Sequence, residues 1–150
     1  MAEKKYLFPG VHILVSEYAC HHCGRLPPDL YIDPFYYDSF LIFEGIRLEW
    51  GRPIPLCKGG GWRCDIYQCQ LIREEKTDAA TAPHSFWALD LDVNSRSEVL
   101  QLVDIIEDKY PELRKGYKKY LEKGQSFVHI DRMYLIKPKV KASWIKGYTW

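Results

Sequence analysis

Apolar positions along this chain follow two rhythms. In residues 86–93, Leu89 and Leu91 alternate with Asp90 and Asp92, the period of a strand. Residues 127–130 repeat that period, with Val128 and Ile130 set against Phe127 and His129. Residues 133–136 and the short run 53–56 also read as strands. The helical rhythm shows in residues 35–50, where Phe40, Phe43, Ile46, Leu48 and Trp50 give an apolar side, and Gly51 followed by Pro53 ends it. It returns in residues 96–109, where Val99, Leu102, Val103 and Ile106 are spaced for one face, Ser95 stands at the cap position and Pro111 stops the element. Residues 65–75 predict a further helix. Residues 1–33 look irregular, broken by Pro27 and Pro28, and residues 58–61 form a tight glycine turn.

Short strands interleaved with helices imply an α+β fold with a small, mainly antiparallel sheet and flanking helices. With 150 residues, no internal repeat and no linker, the expectation is one domain over residues 1–150. Apolar residues make up 47% and charged residues 27%, the balance of a soluble globular chain. Aromatics reach 15%, enough to line a groove as well as a core. The net charge of +1 gives no electrostatic case for nucleic acid. The basic stretches 115–123 and 137–146 read as solvated surface. No apolar run spans a bilayer and no signal peptide is visible, so the expectation is a monomeric protein made in the cytoplasm, with no membrane partner.

The candidate chemistry lies on the two alternating strands. Asp90 and Asp92 share one strand face and follow His84; His129 and Asp131 share a face of the other. Carboxylates grouped on one side of an apolar strand are costly to bury without a cation. An edge strand whose acids face water would show the same pattern, but two His/Asp strands in one small chain favour a metal. Zinc in a hydrolase takes three protein ligands and one water, a set that two histidines and an aspartate supply. The five cysteines, Cys20, Cys23, Cys57, Cys64 and Cys69, do not suit a full disulfide framework. Cys20-His21-His22-Cys23 could be half of a structural zinc site completed by Cys57, Cys64 or Cys69; buried thiols or a disulfide are the alternatives. Lys58-Gly59-Gly60-Gly61 lacks the residues of a phosphate loop.

Five segments stand in order along the chain: Cys20, Cys23 and Gly24; Arg47 through Gly51, Pro53 and Ile54; Gly61-Trp62-Arg63-Cys64; His84 with Ala88-Leu89-Asp90; and Phe127 to Asp131. Together they resemble the zinc D-Ala-D-Ala carboxypeptidases and their relatives among murein endopeptidases and phage endolysins. The resemblance implies the fold shared by lysostaphin-type peptidases and the hedgehog domain. It implies Zn2+ held by His84, Asp90 and His129. The family spacing from His to Asp is seven positions, whereas Asp90 is six and Asp92 eight after His84. A one-residue deletion makes Asp90 the ligand and Asp92 the runner-up, as metal ligand or base. The motif serine is replaced by Ala82, and Ser126 stands where the family usually has a carboxylate three before the late histidine. Asp131 is then the candidate general base, or the group that orients a metal ligand. Arg63 resembles the arginine that holds a substrate carboxylate or oxyanion. The implied activity is hydrolysis of peptidoglycan stem peptides or cross-links, reached after release in phage-type lysis. The rival expectation is a non-catalytic wall-binding or virion structural module that keeps the fold.

Overall fold

A computed structural model describes residues 3–75, 83–137, 139 and 141–150. Ala82 lies outside them. The N-terminal stretch is irregular as expected, save for one turn of helix, α1 (Val15–Tyr18). Helix α2 (Pro34–Trp50) begins where Asp33 accepts a hydrogen bond from the Phe35 N–H, with Pro34 preset for the first helical position. It ends at Gly51, whose φ of 79° is a left-handed cap that glycine adopts without Cβ strain. Helix α3 (Asp65–Arg73) is shorter than expected and is capped by the Cys64 sulfur, which accepts from Tyr67 N–H. Strand β1 (Ala88–Asp92) follows a 3-10 turn over Pro83–Ser85. Helix α4 (Arg96–Lys109) is capped by the Ser95 hydroxyl, as its sequence predicts. Strand β2 (Arg114–Gly116), helix α5 (Lys118–Glu122) and strand β3 (Phe127–Asp131) complete the order.

The fold is α+β. Its sheet is antiparallel, in the order β1-β3-β2. Two expected strands do not form. Residues 53–56 meet β1 only at the bridge between Leu56 and Leu91. Residues 133–136 instead hold a 3-10 turn, Met133–Leu135, because Asp131 Oδ1 takes the Met133 N–H and so turns the chain away from the sheet. Strand β2 and helix α5 have no counterpart in the apolar pattern.

Side-chain alternation divides the sheet into two faces. Leu89, Leu91, Val128 and Ile130 are fully buried in the core with Phe40, Phe43 and Ile46 of α2 and Val99, Leu102 and Ile106 of α4. Burial of such a side chain contributes roughly 1.5–3 kcal/mol. The opposite face carries Asp90, His129 and Asp131 and is the floor of a cleft. No helix among the described residues is long and apolar enough to cross a membrane.

Candidate metal centre

The register of the sheet builds the centre. Asp90 on β1 lies directly opposite His129 on β3, so their side chains rise side by side from the same face. His129 Nδ1 lies 2.9 Å from Asp90 Oδ1. His84 comes from the 3-10 turn before β1, and its Nε2 lies 3.3 Å from the same oxygen. The two imidazole centroids are 5.0 Å apart. The ligand atoms of His84, Asp90 and His129 all lie within 4.8 Å of one another, and all three residues are buried. Gly60 is required at the edge of this site, because a Cβ there would stand 2.8 Å from the Asp90 Cβ.

The outer nitrogen of each imidazole is already committed. His84 Nδ1 donates to the Gly61 carbonyl at 2.8 Å; a carbonyl only accepts, so a neutral His84 turns its Nε2 lone pair toward Asp90. His129 Nε2 lies 2.7 Å from Asp131 Oδ2 and donates to it, which leaves Nδ1 facing Asp90. Two imidazole lone pairs and one carboxylate oxygen therefore converge. Acceptors so placed need a proton or a metal cation among them. The donor set, two nitrogens and a carboxylate with outer partners fixed, fits a divalent ion such as zinc.

Asp131 is fully buried and both of its oxygens are in use. Arg114 of β2 grips it bidentately, Nε to Oδ1 at 2.7 Å and Nη2 to Oδ2 at 2.9 Å. Arg114 also donates to the Ser143 carbonyl and lies over the Trp150 ring. That ring stands 5.2 Å from the His129 ring. It fits because Gly116 is opposite His129; a side chain there would run into the indole. Arg63 points its Nη2 at Asp90 Oδ2, 3.6 Å away, and is anchored by donation to the Gly59 carbonyl. Its neighbours tie the site together: Arg63 N–H donates to the His84 carbonyl, and the Ser85 hydroxyl donates to the Arg63 carbonyl. Asp92, at the end of β1, is exposed and lies outside the group.

The cleft above this floor has a volume of about 730 Å³. Lys58, Arg63, Arg114, Lys119, Lys123 and Lys141 line it, so part of the basic surface expected to be merely solvated faces the site. Lys115, by contrast, is fully buried, with its ammonium on the Leu113 carbonyl and on Glu107. Among the described lining residues the only side-chain carboxylate is Asp90. Arg114 and Trp150 were not visible as site residues in the sequence. The one clue is that a buried Asp131 needs a cationic partner somewhere in the chain. All five cysteines are free thiols, and Cys20 and Cys23 stand together with Cys64, away from Cys57 and Cys69.

Protonation follows from this layout. Burial pushes His84 down, toward the neutral form. Burial acts the same way on His129, but hydrogen bonds to Asp131 and Asp90 outweigh it and raise its pKa to about 9. Desolvation would raise Asp131, yet the His129 and Arg114 bonds hold it at about 2. In the metal-free protein His129 therefore carries a proton at neutral pH. A raised histidine pKa stabilises the fold fully below about pH 6.5, and that contribution is lost as pH climbs through about 9. A metal ion taken up by His129 Nδ1 would have to displace this proton. Titration calorimetry in buffers of different ionisation enthalpy is expected to show about one proton released per ion at pH 7. Apparent affinity is then expected to rise roughly tenfold per pH unit toward pH 9. A pH-independent affinity would mean that His129 is not a ligand.

Comparison of the chain with protein-family models, curated proteins and solved structures finds no match.

Proposed function

We propose that this chain is a zinc-dependent peptidase acting on peptidoglycan stem peptides or their cross-links. The observation that carries the reading is the convergence of His84 Nε2, Asp90 Oδ1 and His129 Nδ1 on one point at the floor of a cationic cleft. The substrate class rests on the resemblance of residues 47–54, 61–64 and 127–131 to D-Ala-D-Ala peptidases. It suits the rim, because a stem peptide presents a free carboxylate to Lys and Arg side chains.

His84, Asp90 and His129 would hold the zinc. When bound, the ion supplies a Lewis acid and lowers the pKa of a coordinated water to about 7. The protein's own groups do the rest. The Gly61 carbonyl and Asp131 fix the tautomers of His84 and His129. Of the two roles open to Asp131, its four contacts favour orienting His129 over taking a proton. Arg63, held by Gly59, keeps its guanidinium at the edge of the cleft, where it binds a carboxylate or a developing oxyanion. Arg63→Ala is expected to keep its zinc and to lower kcat/KM on a stem-peptide substrate by about 10²–10³. Its melting temperature should fall only slightly, since its hydrogen bonds to the Gly59 carbonyl and the Gln68 amide contribute about 1 kcal/mol each and the bound zinc still neutralises Asp90. Unfolding of the variant would make Arg63 a structural anchor instead.

A second reading is a non-catalytic domain that binds cell wall or serves in a virion. What favours it is that, among the described lining residues, no side-chain carboxylate besides Asp90 stands ready to take a proton from water. Metal analysis of the purified chain, paired with a zymogram on purified cell walls, separates the two. Zinc with clearing supports the peptidase. Zinc without clearing supports the binding module. Loss of neither on His84→Ala would remove the site from both.

A further inference from the structure

A second cluster of ligand-type side chains lies apart from the cleft floor. Cys20 and Cys23 sit on the turn after α1, and Cys64 caps α3. Their three sulfurs all lie within 4.8 Å of one another. Thiolates sharing one tetrahedral zinc stand roughly 3.8 Å apart, given Zn–S bonds of about 2.3 Å. Closing the set therefore takes adjustments of an ångström or less at side-chain level. The turn has the build of a metal-binding knuckle. Gly24 follows Cys23 with φ at 70°, and its N–H donates to the Cys20 carbonyl at 2.7 Å while Cys20 N–H donates to Arg25. Backbone N–H groups of Cys64, Cys23 and His22 all face the Cys20 sulfur, the one from Cys64 at 3.4 Å. Donors gathered on one sulfur suit a thiolate better than a thiol. Tyr67 N–H donates to the Cys64 sulfur, but burial and the nearby Cys20 sulfur outweigh it and push the Cys64 thiol up, so a second thiolate here calls for a shared cation.

We propose that Cys20, Cys23 and Cys64 bind a second zinc ion as three thiolates, with an outside donor such as water in the fourth position. His21 and His22 are exposed, and His22 is stacked over Tyr67, so neither imidazole completes the set. Cys57 lies elsewhere, beside Asp90, and Cys69 is exposed on α3 outside the group. The ion has a structural task. It joins the turn after α1 to the 61–64 segment, whose Gly61 carbonyl holds His84 and whose Arg63 reaches Asp90. The two pieces already touch: Trp62 N–H donates to the Tyr18 carbonyl at 2.7 Å, and Gly61 is pressed against Tyr18 so closely that a Cβ there would lie 2.6 Å from its backbone. The inference stands whether or not the cleft hydrolyses peptides.

The test uses the full chain loaded with zinc or cobalt. Metal analysis is expected to give two ions per chain, falling to one in Cys23→Ser or Cys64→Ser and to one in a His84→Ala/His129→Ala protein. Cobalt should give near-ultraviolet thiolate charge-transfer bands that the histidine variant keeps and the cysteine variants lose. Should the cysteine variants fail to fold, the wild-type chain still decides. Iodoacetamide followed by mass spectrometry is expected to modify the exposed Cys69 at once in all states, and the equally exposed Cys23 only after a chelator is added. Alkylation of Cys23 at the Cys69 rate with metal present would overturn the proposal. So would a cobalt spectrum without thiolate bands, or a Cys20–Cys64 disulfide in protein purified under metal-replete, reducing conditions.

Discussion

Asp90→Ala is expected to strip the His84–His129 centre of its metal, while Asp92→Ala keeps it. The two aspartates share a strand face, yet only Asp90 lies opposite His129 and within 3.3 Å of His84 Nε2. Asp92 sits one pleat further on, exposed at the strand end. Losing one of three protein ligands leaves two imidazoles, too few to compete with water for a divalent ion. On the proposed function, wall clearing vanishes in Asp90→Ala and persists in Asp92→Ala. Zinc titration monitored by calorimetry gives the answer directly, with circular dichroism to show that both variants fold. Equal affinity in Asp90→Ala and the unaltered chain would dismantle the centre.

The largest loss of stability is expected from Asp131→Ala. It leaves Arg114, itself buried, without its bidentate partner. Breaking a buried ion pair from one side costs about 3–5 kcal/mol, a large share of the stability of a domain this size. The apolar double variant Arg114→Met/Asp131→Leu should regain much of that loss, because no charge is then stranded. It should not regain metal affinity. Without Asp131 the His129 ring has no fixed tautomer, and loss of such an outer partner typically costs 10–100-fold in affinity. Urea denaturation of the metal-free proteins and zinc titration of the same set read the two effects separately. Full metal affinity in the double variant would show that Asp131 does not orient His129.

The same residues explain what was legible in the sequence. Strands β1 and β3 announce themselves because one side of each is Leu, Val or Ile facing a core and the other is Asp or His facing the cleft. Parity put Asp90 and Asp92 on the same side, but depth along a strand has no signature in alternation, so the choice between them needed another ground. Strand β2 gave no signal. Its residues, Arg-Lys-Gly, look like exposed loop, and they are buried only because Asp131, Glu107 and Trp150 wait for them from distant parts of the chain. The turn at Met133 replaced an expected strand for a similar reason: a carboxylate two residues back captured its N–H. Cys64 was one of three open choices because spacing alone does not show that the cap of α3 comes to rest against the turn after α1.

The indole of Trp150 lies against the His129 ring. A protonated imidazole quenches a neighbouring excited indole, and a neutral one does so far less. On the proposed zinc reading, the indole is an optical gauge of whether a proton or a metal sits beside His129. Its emission is expected to brighten as zinc is added at neutral pH. Trp150→Phe should abolish that change while leaving the bound ion in place.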